Sequence, residues 1–245
     1  MLPFFNEQEL LKPSDLIHDT KEYPFSIIIT WQRQILEAVA RNYKLKEIST
    51  FRCGVACPVY EFKAKRESIG IVLLPIGAPV VAGFLEEYIV RNVMRFVCIG
   101  YAGSLSEKTG DLLVVPSRAY RDEGISWHYA PHDSPWIEVP SWKKLDGILD
   151  EMGVPHICGN VWTTDAFYRE TPSAVKMMKE QQCLCVDMEC AAAMAVTKYR
   201  NVECLQMMFS ADKLEKDIWE VGSLRSLGKD AYTKYAEIAI RVALS

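Results

Sequence analysis

An α/β fold, with one central mixed and mainly parallel β-sheet flanked by helices, is expected from three features of the 245-residue chain. Short apolar runs alternate with amphipathic stretches of helical period, no repeat or Gly/Ser linker interrupts the alternation, and the length suits one large core. Residues 1–245 are therefore expected to form a single domain.

The elements follow in order. Residues 25–30 (FSIIIT), 69–74 (IGIVLL), 96–99 (FVCI), 112–116 (LLVVP), 156–161 (HICGNV) and 204–209 (CLQMMF) are apolar runs of strand length, as expected for strands buried on both faces. Helical periodicity marks residues 32–42, 80–93, 142–152, 173–181, 188–199 and 229–242. Pro172 suits the first turn of the fourth of these, where its missing N–H costs nothing.

Composition narrows the function classes. The net charge of −4 comes from interspersed signs with no Lys/Arg-rich run, which argues against nucleic acid and anionic membrane surfaces as partners. The N-terminal stretch MLPFFNEQELLKPSDLIHD has no basic segment followed by an apolar one, and no apolar run approaches the roughly eighteen residues of a membrane span. A cytoplasmic chain is expected. The eight cysteines sit in apolar contexts and read as reduced core residues. The Cys53/Cys57 and Cys183/Cys185 spacings lack a matching second pair, and Pro131 breaks the helix that His128 and His132 would need, so no metal is expected.

In open α/β sheets ligands gather where strand ends lead into helices. Four such ends are unusual: PIGAPVV, IGYAGSLSEKTGD, WTTDAFYRET and FSADKL. In the second, Gly100 and Gly103 suit either a tight turn or a backbone that converges amides on an anion. In the third, Phe167 and Tyr168 can stack on a planar ring while Thr163, Thr164 and Arg169 supply hydrogen bonds, or the aromatics can simply pack beneath a loop. In the fourth, Asp212 is either a turn cap or an acid able to donate to a ring nitrogen. The charged stretch RDEGISWHYAP reads as a site wall or a subunit contact.

Five segments, VDMECAA, TTDAFYRET, IGYAGSL with TGDLLVV, RDEGISWHY and SADKL, stand in the order found in the nucleoside phosphorylase and nucleosidase superfamily. From about Ile27 to Leu214 the chain resembles its purine nucleoside and uridine phosphorylase branch. The resemblance implies a nucleoside phosphorylase-like fold and cleavage of an N-glycosidic bond of a nucleoside, with inorganic phosphate as co-substrate and no other cofactor. It further implies that Met188 packs under the ribose, that Glu189 accepts from its hydroxyls, and that Phe167 and Thr164 face the base. Asp212 matches the acid that assists a purine leaving group, which favours purine nucleosides. The family assembles as dimers or hexamers of dimers, so a homo-oligomer is implied, with His18 or Arg52 as the residue reaching a neighbour's site.

The sequence departs from the family at the phosphate site. Where phosphorylases carry a G-D-P-x-R loop, this chain reads IIITWQRQIL, and Cys98 stands where an arginine is usual. The phosphate candidates are Gly77, Gly100 and Tyr101 with Arg33, Arg52, Arg121 and Arg169. The missing arginines keep two alternatives open, a nucleoside hydrolase on the same fold and a catalytically weak nucleoside-binding paralogue. In CVDMECAAAM, Asp187 is expected to cap the helix that follows, which leaves Glu189 as the acid that needs a ligand.

Overall fold

The computed structural model describes residues 2–216, 218–222 and 227–245. In chain order the elements are α1 (Pro13–Leu16), β1 (Ser26–Thr30), α2 (Arg33–Asn42), β2 (Lys46–Arg52), β3 (Ala56–Ala64), β4 (Glu67–Leu73), α3 (Ala78–Ile89), β5 (Arg95–Ser104) and β6 (Leu113–Asp122). They continue with α4 (Ser126–Tyr129), β7 (Trp136–Glu138), α5 (Trp142–Glu151), β8 (His156–Thr164), a 3-10 turn at Phe167–Arg169, and α6 (Pro172–Glu180). The chain ends with β9 (Cys183–Asp187), α7 (Cys190–Tyr199), β10 (Glu203–Lys216), β11 (Ile218–Glu220) and α8 (Lys229–Ala243).

The strands join in the order β11-β10-β6-β8-β9-β5-β1-β4-β3-β2, with β7 on β6. A further pairing of β10 with β5 closes β5, β10, β6, β8 and β9 into a five-stranded barrel. The expected α/β sheet is present and mixed, but a simple layered sheet does not describe it. The pairs β1–β4, β1–β5, β5–β10, β6–β8 and β8–β9 are parallel, whereas β2–β3, β3–β4, β5–β9 and β6–β10 are antiparallel. Closure removes strand edges, which lets long strands run on beyond their apolar halves.

Each predicted apolar run overlaps a strand to within one residue at its ends, yet β5, β6, β8 and β10 extend several residues past it. Thus IGYAGS, read as a turn, is the second half of β5: Gly100 pairs in register with Met208 and Gly103 with Val186. Gly100 is small because a Cβ there would stand 2.8 Å from Cε3 of the Trp31 ring. The glycine serves a close approach of side chain to strand rather than a turn. Strands β2 and β3 went unrecognised because their residues are half exposed and interrupted by polar side chains, as on a sheet edge.

Two apolar layers sandwich the sheet. On β1, Ile27 and Ile29 enter the layer beneath α3 and α7, and Ile28 points to the opposite layer with α2, α5 and α8. All three are at most 1% exposed, each worth about 2 kcal/mol of apolar burial. Helix α3 packs on α7, and α2 on α8. All eight cysteines are free; Cys53 and Cys158 are partly exposed and the others buried. Among the described residues, no helix is long and apolar enough to cross a membrane.

The loop after β6 is organised around one buried cation. Arg121, 3% exposed, donates Nε–H to Ser126 Oγ, its Nη1 to the carbonyls of Pro131 and Ser134, and its Nη2 to those of Ser126 and Ala130. Its guanidinium carbon lies 3.7 Å from the centre of the Trp127 ring. With all its donors committed, Arg121 has none left for phosphate, which corrects its assignment as an anion ligand. Arg121→Met is expected to lower stability in urea unfolding by about 3 kcal/mol, because buried carbonyls lose their donors.

Candidate functional site

The site forms where β5 changes partner. Its first half, Arg95 to Ile99, pairs with β1 from Ser26 to Thr30; its last residues, Gly103 and Ser104, pair instead with β9 at Val186 and Cys185. Strand β1 ends at the gap between these partners, and the chain turns away through Trp31 and Gln32. A cavity of about 210 Å³ opens there, walled by Trp31, Gln32 and Ile76, by Tyr101 to Gly103, by Phe167 and Glu170, by Val186 to Glu189, and by Asp212.

Asp187 and Glu189 part company inside it. Asp187 ends β9 and is bound on all sides: Thr163 Oγ donates to Oδ1 at 2.7 Å, and the amides of Glu189 and Cys190 donate to Oδ2 at 3.0 and 2.7 Å. It ties β8 to the start of α7, as expected for a cap at a positive helix end. Glu189 accepts the Gly77 amide at 2.6 Å on Oε1. That amide is available because Gly77, at φ 117, bends the chain into α3 in a conformation that residues with a Cβ avoid.

Burial, followed by the neighbouring Asp187 charge, pushes Glu189 well above the usual carboxylate range. Burial also raises Asp187, but the Thr163 hydroxyl and two amides favour its ionised form. Of the two, Glu189 is the one whose charge calls for a further donor.

At the other wall, Asp212 lies within β10 rather than in a loop beyond it, and its Oδ2 accepts the Trp219 indole N–H at 2.8 Å. Gly103 lies opposite it, where a Cβ would press on the side chains of Val186 at 3.0 Å and Leu214 at 3.2 Å. Phe167 is 43% exposed and tilted against Tyr168, with ring centres 4.1 Å apart, so one aromatic face borders the cavity and its mouth. Glu170 closes the set, pushed up to about 7 by burial and then by the Asp212 charge.

Of the residues singled out by sequence, Met188, Glu189, Phe167, Asp212 and Tyr101 meet at the cavity. Gly77 reaches it through its amide, and Gly100 backs Trp31. Thr164 does not line it; its hydroxyl accepts the Ala166 amide at 3.2 Å. Arg33 is exposed at the start of α2, beside Gln32; Arg52 is exposed at the end of edge strand β2; Arg169 and His18 are also exposed, and none of the four lines the cavity. Cys98 lies wholly in the core, its Sγ 3.8 Å from that of Cys204.

Trp31, Gln32, Ile76 and Glu170 were missed. For the first two the signal existed, since they follow an apolar strand directly, as the four recognised strand ends do. Among the described residues, Trp31 Nε1 and Gln32 Oε1 are buried without a hydrogen-bond partner, an unmet donor and an unmet acceptor in cavity-lining side chains. The wall carries four carboxylates, Glu170, Asp187, Glu189 and Asp212, and no Lys or Arg.

The family model of the phosphorylase superfamily matches residues 26–243. The chain belongs to this superfamily. Within it, a DeoD-type purine nucleoside phosphorylase of Thermoanaerobacter sp. (strain X514) is 29% identical over 165 residues, 62% of this chain and 66% of that protein. One from Clostridium perfringens (strain SM101 / Type A) is 27% identical over 193 residues, 75% of this chain and 78% of that protein. An uncharacterised protein of Acanthamoeba polyphaga mimivirus is 29% identical over 143 residues, 58% of this chain and 55% of the viral one. The chain thus spans just over half of the viral relative and about two thirds of the Thermoanaerobacter enzyme. The superfamily fold is also seen in the crystal structure of uridine phosphorylase from Vibrio fischeri ES114, which superposes with a TM-score of 0.74 at 19% identity, covering 91% of this chain and 93% of that one.

The carboxylates give the site a defined pH response. Glu170 holds its proton more tightly in the folded chain than at its ordinary 4.5, so stability falls as pH rises from there through about 7. Glu170→Gln removes that slope. Urea unfolding at about pH 5 and about pH 8 is expected to show wild type losing stability relative to the variant at the higher pH.

Proposed function

We propose that the chain is a nucleoside phosphorylase that cleaves the N-glycosidic bond of a purine nucleoside with inorganic phosphate, giving free base and ribose 1-phosphate. The observation that carries this reading is the meeting, in one cavity, of an aromatic face at Phe167, the Met188–Glu189 pair and the Asp212 carboxyl. A planar base stacks on Phe167, and Met188 supplies an apolar floor for the ribose. Glu189, with one oxygen on the Gly77 amide, accepts from the ribose hydroxyls with the other.

As the bond from C1′ to the base nitrogen lengthens, the bonding pair leaves with the base and C1′ becomes cationic. Carboxylates around it stabilise that charge, and Asp212 provides a hydrogen bond or proton to a ring nitrogen of the departing purine. Trp31 Nε1 and Gln32 Oε1 offer the further donor and acceptor that a polar substrate needs.

Phosphate attacks C1′ and brings negative charge to an acidic wall, so its cation comes from beyond the lining residues. Arg33, exposed beside Gln32, is the candidate from the same chain, with Arg169, exposed between the cavity-lining Phe167 and Glu170 in sequence, as a second. In a homo-oligomer, Arg52 of the partner subunit or His18 of the partner subunit completes the set. Such an enzyme would act in nucleoside salvage in the cytoplasm.

Chromatography of products from purine and pyrimidine nucleosides, with and without phosphate, tests the reaction. Base release from purine nucleosides is expected only with phosphate, and free ribose formed in its absence would overturn phosphorolysis. Asp212→Asn is expected to lower kcat on purine nucleosides by roughly 100-fold with unchanged thermal stability. Glu189→Ala should weaken nucleoside binding by roughly tenfold in calorimetry, and by more than Asp187→Asn does. The reverse order would mean that the two acids have exchanged roles.

A further inference from the structure

The nucleoside cavity leaves unused a cluster at the opposite end of β8. His156 opens that strand and Cys158 follows two residues later, on the same face. Asp146, on α5, comes down between them: its Oδ1 lies 2.9 Å from His156 Nε2 and accepts from Cys158 Sγ at 3.0 Å. The other ring nitrogen, Nδ1, lies 2.8 Å from the Val154 carbonyl oxygen. Both imidazole nitrogens therefore face acceptors, while a neutral ring has a single N–H. A positive species is required between Nε2 and Asp146, either a second proton or a metal ion.

We propose that Asp146, His156 and Cys158 form a zinc site with a fourth position open to water. The imidazole nitrogen, the thiol sulfur and a carboxylate oxygen all lie within 4.8 Å of one another. Tetrahedral zinc, with bonds of about 2.0 to 2.3 Å, sets its ligand atoms roughly 3.3 to 3.6 Å apart, so the two shorter contacts need to open by only about half an ångström. A bond from Nδ1–H to the Val154 carbonyl would fix the tautomer that presents the Nε2 lone pair, the usual support of a metal-bound histidine. Mixed nitrogen, sulfur and oxygen donors suit zinc and not magnesium or calcium.

Asp150, one helical turn beyond Asp146, adds negative charge that acts on both His156 and Cys158. Cys158 is partly exposed and borders a cavity of about 740 Å³, so the cluster is not sealed in the core. Zinc displaces the thiol proton and the second imidazole proton to solvent, leaving a thiolate and a neutral ring as ligands. The site lies roughly 16 to 23 Å along β8 from Thr163, whose hydroxyl holds the cavity-lining Asp187, so the ion fastens α5 to the barrel and takes no part in glycosidic chemistry. Sequence spacing pointed to no metal because Asp146 and the His156/Cys158 pair belong to different elements.

The test uses the full-length protein, freed of metal with a chelator and still folded by circular dichroism, titrated with ZnCl2 in a calorimeter and with CoCl2 in a spectrophotometer. One zinc per chain, a thiolate-to-cobalt charge-transfer band and a rise in Tm with zinc are expected. Cys158→Ser should abolish the band, and His156→Gln and Asp146→Asn should each weaken zinc binding at least tenfold, whereas the Cys53→Ser/Cys57→Ser double variant should keep all three signals. Absence of stoichiometric zinc in the folded wild type would overturn the proposal. So would binding that survives Cys158→Ser, or that disappears in the Cys53/Cys57 variant.

Discussion

The partner change of β5 is the constraint from which the rest of the site follows. Up to Ile99 the strand is sealed between β1 and β10, with apolar side chains entering layers on both faces. Beyond it β1 has ended, and closure of the barrel brings β9 to the same edge only at Gly103. The backbone between these partners borders a space that neither neighbour fills. Ligands of open α/β sheets sit at such switch points because strand ends, helix starts and unpaired polar groups converge there. Here Trp31 and Gln32 leave β1, Val186 and Asp187 end β9, Met188 and Glu189 lead into α7, and Asp212 arrives on β10.

Four carboxylates share that small space, and hydrogen bonding decides what each can do. Asp187 is consumed by a hydroxyl and two amides, so its charge holds the start of α7 in place. Glu189 has one amide and a buried position, which makes it the acid best served by hydroxyl donors on a ligand. Burial, and then the Asp212 charge, raises the cost of ionising Glu170. An acidic wall favours cationic character in a bound ligand and disfavours a free anion, so the phosphate of the proposed reaction would need a cation from outside the lining.

Arginine shows how poorly residue type alone predicts role. Arg33, Arg52, Arg121 and Arg169 were equivalent candidates in the sequence, yet Arg121 is buried by four backbone carbonyls, a serine hydroxyl and the Trp127 ring, while the others are exposed. The distinction depends on the path of the loop from Glu123 to Pro135, which carbonyl directions fix and composition does not.

Sequence by itself determined the alternation of strands and helices, the superfamily, and the short list in which Phe167, Met188, Glu189 and Asp212 stood together. Those features are local: an apolar run is a strand wherever it packs, and an acid next to a helix start is near its amides in any fold. Tertiary structure alone decided the closed barrel, the contribution of Trp31, Gln32 and Glu170, the removal of Thr164 and Arg121 from the site, and the meeting of Asp146 with His156 and Cys158. Each of these depends on which distant segments are brought into hydrogen-bonding register, and register is set by side-chain packing such as that of Trp31 on Gly100.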